Sequence, residues 1–467
     1  MKSHKDENIH FIGVGGASMS ALAKFVVNRG GNVTGSDRER TSITEELESI
    51  FPVYYGEHPE IIDGCDRIVY SSAIQFDNSE MKRARELKIP LVERHEFLGQ
   101  IADTFEKTVA IGGAHGKTTV TAMISHLLKW VKGNFSAHIG GETQYGNLIL
   151  SGNEIFVTEA CEYKKSLLSL NPHISVLLNA ELDHPDCYKD MKSLLQVYLA
   201  FLDKADIQIF PAEFINICKS EHMNIGEYKK VRQAFESVCV LDIKEGVVAF
   251  SNGNVSIWTR GNVEVENDKN FVEVYKNNEH VGKIYLPDKD ETTAINSLFS
   301  IVVLDNLGYS LDKVADGVQS FQGVKRRKEC IGQCGRAKVV FDYAHHPTQI
   351  RKIISSFSGK TMVVFQPHTY TRTKAYFDDF ATSLSKADKL LIVDTYGARE
   401  EMIEGADSLA LAHYISTKFA QCDVEYIKNI SSTIDYVVKC QNSYDNILFL
   451  GAGDIYRLKD KILPYVK

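Results

Sequence analysis

The stretch from Gly113 to Thr119, G-A-H-G-K-T-T, holds the densest chemistry in this chain. Glycines let backbone N–H groups approach anionic oxygens, Lys117 supplies a full positive charge, and the Thr118 hydroxyl suits a magnesium ion. Together these residues make a cradle for the phosphates of ATP or GTP. The stretch is shorter than the pattern G-x-x-x-x-G-K-[ST], because Ile111 stands where the first glycine of that pattern would be. A glycine-rich turn with a merely solvated lysine would not need strand, glycines, Lys-Thr and helix all to agree.

A second turn lies about a hundred residues earlier, Gly13-Val14-Gly15-Gly16-Ala17-Ser18, with Asp37 some twenty residues beyond it. This is the outline of a dinucleotide site: a glycine turn, a helix start aimed at a pyrophosphate, and an acid for a ribose hydroxyl. Ser18 replaces the third glycine of G-x-G-x-x-G. A nicotinamide dehydrogenase would use this turn, as would a nucleotide diphosphate that does no redox chemistry. Two phosphate-binding turns are better explained by two nucleotide-containing ligands.

Titratable groups recur after apolar runs. Glu159 closes E-I-F-V-T-E, where a second oxygen ligand for magnesium belongs. Asp183 and His184 follow I-S-V-L-L-N. Asp342 ends another run, with His345 and His346 in the next loop, and His368 and Arg372 follow T-M-V-V-F. Lys325 to Lys328 form a basic cluster that could clamp phosphates between domains. Singly, each is ordinary: an acid at a strand end, a capping histidine, a solvated basic face. Repeated after successive strands, they describe a binding edge. The His345-His346 pair also invites a metal reading, but its neighbours suit anions and an amino acid better.

The elements that must position these groups alternate strand and helix. Ile9 to Ile12 precedes the first turn, and Met19, Leu22, Ala23, Val26 and Val27 recur after it at helical spacing. Thr108 to Ile111 precedes the lysine loop, followed by Val120, Met123, Ile124, Leu127, Leu128 and Val131. Each turn then meets the positive end of a helix. Arg67 to Ile74 reads as a strand leading into a small-residue turn, Leu91 to Arg94 ends another strand, and the first domain stops near Thr104 to Lys107. From Val240 to Leu286 the residues alternate, with turn signals at Ser251 to Asn254 and at Asn277-Asn278, as in a β-meander. Helices over Ala294 to Gly308 and Leu311 to Phe321 come next. Strands beginning at Ala337, Thr361, Leu390 and Ile447 then resume the alternation.

At 467 residues the chain is too long for one core. Its net charge of −8 argues against a general nucleic-acid or membrane-surface role. Nine cysteines without a C-x-x-C pair argue against a disulfide framework and fit a reducing compartment. The polar start M-K-S-H-K-D-E-N is no signal peptide and no run reaches transmembrane length, so a cytoplasmic protein is expected.

The motifs H-F-I-G-V-G-G-A-S-M-S, S-S-A-I, G-A-H-G-K-T-T, E-A-C-E-Y, N-A-E-L-D-H-P-D, G-V-K-R-R, F-D-Y-A-H-H-P-T, Q-P-H-T-Y-T-R-T and G-A-G-D-I occur in that order from residue 9 to about 455. As a set they resemble the Mur ligase family. The resemblance implies an α/β fold of three domains. Residues 1–106 would be Rossmann-like and bind a UDP sugar, 107–323 a central P-loop ATPase-type domain, and 324–467 a C-terminal Rossmann-like domain for the amino acid. It also implies ATP-dependent amide formation through an acyl phosphate, in cytoplasmic peptidoglycan precursor synthesis. The substrates would be UDP-N-acetylmuramate, L-alanine and ATP, with Mg2+ as cofactor, and the chain a monomer or weak homodimer. A murein tripeptide recycling ligase, a dehydrogenase and a catalytically silent nucleotide-binding protein are the alternatives.

Carried over residue by residue, Gly13, Gly15, Gly16, Met19 and Ser20 would face the UDP diphosphate, with Ser36, Asp37, Ser71 and Ser72 nearby. Gly113 to Thr119 would hold ATP, joined by Asn296, Arg327 and Asp342. Thr118, Glu159 and His184 would serve magnesium. Lys117, Glu159, His184, His345 and His346 would carry catalysis, and His368 and Arg372 would place the amino acid's carboxylate. The chain departs from the family pattern at Ser18, at Cys161 within E-A-C-E-Y, at Thr369, where arginine is frequent, and at D-E-T-T-A-I-N, which lacks a His-Asn pair and leaves Asn296 for the adenine.

Overall fold

The computed structural model describes residues 5–184, 187–238, 246–398 and 400–467. The chain forms two compact units, Met1–Glu181 with Asp190–Gln322, and Leu182–Lys189 with Gly323–Lys467.

The first unit opens with β1 (Asn8–Ile12), α1 (Ala17–Asn28), β2 (Asn32–Asp37), α2 (Ser42–Glu48), β3 (Val53–Tyr55), β4 (Arg67–Tyr70), α3 (Ser79–Glu86), β5 (Leu91–Glu93) and α4 (Arg94–Ala102). The strands make a parallel sheet in the order β3-β2-β1-β4-β5. Ile9, Phe11 and Ile12 are buried, as is the helical stripe of Met19, Leu22, Ala23, Phe25 and Val26. Because β1 is flanked by β2 on one side and β4 on the other, the order reverses at its end, which opens a crevice beside the glycine turn.

The same unit continues with β6 (Lys107–Gly112), α5 (Lys117–Trp130), β7 (Phe135–Thr143), β8 (Gly146–Leu150), β9 (Ile155–Glu159), β10 (Ile174–Leu177), α6 (Met191–Lys204) and β11 (Ile207–Pro211). Helices α7 (Glu213–Ser220) and α8 (Lys229–Val238) follow, then β12 (Val247–Ser251), β13 (Asn254–Arg260), β14 (Glu264–Glu266), β15 (Lys269–Lys276), β16 (Glu279–Leu286), α9 (Glu291–Asn306) and α10 (Leu311–Gln319). One sheet runs β14-β15-β13-β12-β11-β10-β6-β9-β7-β8, with β16 on β15. Its centre, from β7 to β11, is parallel. The expected meander is present from Val247 onward as an antiparallel extension of β11. Its tight turns include the expected Asn252-Gly253 and Asn277-Asn278, and also Asn267-Asp268, all with positive φ, which matches the twist of a two-residue hairpin. The start of the expected run, residues 240–245, lies outside the described residues. On α5, Val120, Met123, Ile124, Leu127 and Leu128 are buried, whereas Val131 lies beyond the helix end and is only half-buried.

The second unit holds β17 (Glu329–Cys334), β18 (Ala337–Asp342), α11 (Pro347–Ser355), β19 (Thr361–Phe365), α12 (Tyr370–Ala375), α13 (Phe377–Leu384), β20 (Lys389–Val393), α14 (Ser408–Lys418), β21 (Asp423–Ile427), α15 (Ser432–Cys440) and β22 (Asn446–Leu450). The sheet order is β17-β18-β22-β19-β20-β21, parallel except for β17. Strands β19, β20 and β22 are buried on both faces, which is why they read as unbroken apolar runs. The described cysteines are all free; Cys239 lies outside the described residues. No described helix is long and apolar enough to cross a membrane.

Candidate functional site

At the end of β1 the chain turns through Gly13, whose φ of +81° is left-handed. The Ser36 carbonyl accepts from the N–H groups of Gly13 and Val14 at 2.8 and 3.0 Å. Gly15 N–H donates to Asp37 Oδ2 at 2.8 Å. A Cβ on Gly15 would lie 2.9 Å from that oxygen and from Thr44 Cγ2, so only glycine fits. Gly16 caps α1, and the first intrahelical bond runs from Ser20 N–H to the Gly16 carbonyl. The amides of Ala17, Ser18 and Met19 precede that bond and are the donors an anion at this helix end would meet.

Four of the expected residues here have side chains engaged or buried within the fold. The Ser36 hydroxyl is buried and donates to Glu80 at 2.7 Å, with His10 Nε2 at 3.3 Å, so this residue shapes the turn through its carbonyl. Asp37 spends one oxygen on Gly15. Met19 and Ser20 are buried, and the Ser20 hydroxyl donates to the Ala17 carbonyl at 2.9 Å, leaving backbone groups to face a ligand. Ser71 lies beside Gly13, where a glycine Cβ would meet its Cβ at 3.6 Å, and Ser72 is exposed on the same loop.

The lysine loop is built the same way. Gly113 and Gly116 have φ of +127° and +88°, and Gly116 caps α5. Asn179 pins the loop from both sides: His115 N–H donates to its Oδ1 and its Nδ2 donates to the His115 carbonyl, each at 2.9 Å. His115 Nε2 lies 3.1 Å from Glu181 Oε2. Ala114 is buried, Thr119 is half-buried in the first turn of α5, and a Cβ on Gly116 would lie 3.4 Å from Asn296 Oδ1. Lys117 Nζ donates to Glu162 Oε2 at 2.8 Å and also contacts the Gly113 carbonyl. Burial opposes its charge, but Glu162, Cys161 and Glu159 outweigh burial and raise its pKa. The Cys161 thiol is pushed up, chiefly by burial.

Thr118 Oγ1 donates to Glu159 Oε2 at 3.1 Å, and Gly140 N–H donates to Glu159 Oε1 at 2.6 Å. A hydroxyl and a carboxylate, both oxygen donors at the mouth of a phosphate cradle, fit Mg2+. The motif E-A-C-E-Y pointed to Glu159. It missed Glu162, whose only sequence signal was a second acid three residues on. Asn179 opens the motif N-A-E-L-D-H-P-D, which assigned it no role, and Gly140, inside β7, had no local signal.

In the second unit, Asp183 and Arg372 form an ion pair at 3.0 Å and are 4% and 7% exposed. Burial opposes ionisation of Asp183, but Arg372, with His184 and His345, holds its carboxyl well below the usual range. His184 belongs to this unit, has φ of +57°, and its Nε2 lies 3.9 Å from Asp183 Oδ2. His345 Nδ1 faces the Tyr343 carbonyl at 2.9 Å, which fixes a hydrogen on Nδ1. Burial and then Arg372 push its pKa well down. Burial likewise lowers His368 to about 4, and its buried Nδ1 has no partner among the described residues. His346 caps α11, accepting from Thr348 N–H at 3.4 Å, and its ring meets that of Tyr376 at 4.8 Å.

Thr369 carries φ of +66° and ψ of 143° between His368 and Arg372, a sparsely populated backbone conformation that costs about 1–3 kcal/mol. The basic cluster divides. Arg326 turns inward, donating to the Gly451 and Gly453 carbonyls at 3.3 and 3.0 Å between the rings of Tyr343 and Tyr456. Arg327 lies 4.5 Å from the Tyr343 ring centre. Asp342 accepts from the N–H groups of Lys328 and Ala344 at 2.6 and 2.7 Å, while burial raises its pKa.

Comparison with known proteins agrees with this layout. Residues 8–106 match the model described as Mur ligase family, catalytic domain; 111–304 match the Mur ligase middle domain; and 326–453 match the Mur ligase, glutamate ligase domain. The chain is 34% identical to the UDP-N-acetylmuramate–L-alanine ligase of Acetivibrio thermocellus, over 98% of this chain and 96% of that one. It is also 34% identical to the ligase of the same name from Clostridium novyi, over 98% of each. Among solved structures, UDP-N-acetylmuramate-alanine ligase from Thermotoga maritima superposes with a TM-score of 0.76 at 24% identity, covering 98% of both chains. A murein peptide ligase from Psychrobacter arcticus superposes with 0.67 at 18%, also over 98% of both. These two likenesses establish the fold.

Proposed function

The chain belongs to the Mur ligase family, and on that premise we propose that it joins L-alanine to the lactyl carboxylate of UDP-N-acetylmuramate, with ATP consumed through an acyl phosphate. The observation that carries the reading is the pair of anion cradles in the first unit, at Gly13–Ser20 and at Gly113–Thr119. Two cradles suit two nucleotide donors. The full-length identity to ligases named for this reaction selects the substrates.

In this reading the sugar nucleotide binds residues 1–106, ATP binds 107–323, and residues 324–467 receive the amino acid. Lys117 and the amides opening α5 neutralise charge as the carboxylate attacks the γ-phosphorus. Thr118 and Glu159 would hold Mg2+, which would supply further neutralisation of the phosphate oxygens. Arg372 and His368 orient the carboxylate of the incoming amino acid so that its neutral amine meets the acyl phosphate. His345 and His346, with Asp342 and Arg327, shield that intermediate from water. The reaction belongs to cytoplasmic peptidoglycan precursor synthesis, performed by a monomer or weak homodimer.

A phosphate-release assay with ATP, UDP-N-acetylmuramate and each of L-alanine, glycine, L-serine and the murein tripeptide tests this. L-alanine should give the highest kcat/KM. Release driven only by the tripeptide, or none with L-alanine, overturns it.

A further inference from the structure

Arg94, the first residue of α4, donates from Nη1 to the Ser18 hydroxyl at 3.1 Å. Among the described residues no carboxylate pairs with this half-buried guanidinium. Arg67 pairs with Glu7, and Arg372 with Asp183. A cation left in this state beside the opening turn of α1 adds to the field of that helix end.

Ser18 stands where G-x-G-x-x-G has its third glycine, so the hydroxyl that accepts from Arg94 is an addition to the pattern. The same hydroxyl lies 2.9 Å from His138 Nε2 on β7, and His138 Nδ1 lies 3.2 Å from Thr158 Oγ1. The Thr158 hydroxyl in turn reaches the Glu159 carbonyl at 3.4 Å. A guanidinium can only donate. Ser18 therefore accepts from Arg94 and donates to His138 Nε2, Nδ1–H donates to Thr158, and each hydrogen of the chain is used once. Burial, helped by the Arg94 charge, pushes His138 down to about 3, so the ring stays neutral and the order of donors is fixed. The Arg94 charge is also felt at Cys161, the neighbour of the Lys117 partner Glu162.

We propose that Arg94 binds the reacting carboxylate of the sugar nucleotide, held in place for it by Ser18 and His138. This rests on the function proposed above. A guanidinium fork matches a carboxylate in shape and charge, and Ser18 occupies one N–H while leaving the others to the substrate. In the phosphoryl step a carboxylate oxygen forms a bond to the γ-phosphorus. The bond from that phosphorus to the β,γ-bridging oxygen breaks, and ADP leaves with the electron pair. Arg94 transfers no proton; it offsets the repulsion between two anions.

Calorimetric titration of the full chain with UDP-N-acetylmuramate and with UDP-N-acetylglucosamine, which lacks the lactyl carboxylate, tests this. The wild type should prefer the first by about 10- to 100-fold, the worth of one charge-assisted contact. Arg94→Ala should abolish the preference while leaving the affinity for UDP-N-acetylglucosamine unchanged. Ser18→Ala, which keeps the charge but frees the side chain, should retain part of the preference and lower kcat. An undiminished preference in Arg94→Ala, an equal loss for both ligands, or no preference in the wild type overturns the proposal. Should the alanine variant fail to fold, Arg94→Lys decides, since full preference with a lysine excludes the fork. Failure of the wild type to bind either sugar nucleotide would count against the functional reading instead.

Discussion

Lys117 Nζ and Glu162 Oε2 lie 2.8 Å apart, although 45 residues separate them in the chain. Glu162 is 1% exposed, so its charge depends on this partner. The ammonium also contacts the Gly113 carbonyl and lies 3.4 Å from that of Ala114. Its donors are thus held at the mouth of the glycine loop. Under the proposed function, a phosphate oxygen entering the loop would meet a lysine already oriented by a carboxylate behind it.

Lys117→Ala is expected to lower phosphate release by at least about 100-fold, the scale of losing one preorganised charge. Affinity for UDP-N-acetylmuramate should survive, because the first cradle shares no residue with the loop. Titration of that ligand into the variant checks the division; loss of binding would contradict it.

Gly140→Ala should weaken Mg2+ activation. A Cβ at this position would sit 2.6 Å from Glu159 Oε1 and displace the carboxylate that accepts from Thr118. The Mg2+ concentration for half-maximal activity should rise by about 10-fold or more. An unchanged Mg2+ profile would remove Glu159 from the metal site.

Arg372→Ala should raise the KM for the amino acid far more than that for ATP. It also strands Asp183 in a buried position, and removing one partner of a buried pair costs about 3–5 kcal/mol. Denaturant unfolding should therefore show a loss that Arg372→Ala/Asp183→Asn partly restores. Equal changes in both Michaelis constants would reject the role in amino-acid binding.

Stability should fall on mild acidification. The pKa of His368 is lowered to about 4 by burial, so the unfolded chain takes up a proton below about pH 6.5 that the folded chain refuses until about pH 4. The contribution is fully present above that upper limit and is lost as pH drops through the window. His345 and His138 shift in the same direction. Asp183 is depressed, so its contribution is full above about pH 4 and is lost only at lower pH. The thermal midpoint of the wild type should fall between pH 7 and pH 5, and less so for His368→Asn. Parallel curves would show that His368 does not titrate as described.

Much of the frame was legible without coordinates because its causes are local. Glycines at 13, 113 and 116 need positive φ, the apolar residues of α1 and α5 repeat at helical period, and unbroken apolar runs mark β19, β20 and β22 as buried parallel strands. The clustering of acids, histidines and Arg372 after strand ends follows from strand direction, since parallel strands bring their C-terminal ends to one edge.

The sequence alone therefore determined the order of strands, turns and helices and which residue types stand at their junctions, because dihedral preference and periodicity act within a few residues. Tertiary structure decided what each group touches. It turned Ser36 inward to Glu80 across 44 residues, gave Asp37 to Gly15, and joined Asp183 to Arg372 across 189 residues. It also used Ser18 to link Arg94 with His138. Partner choice of this kind depends on burial, which makes an unpaired charge costly and is set only when distant segments pack together.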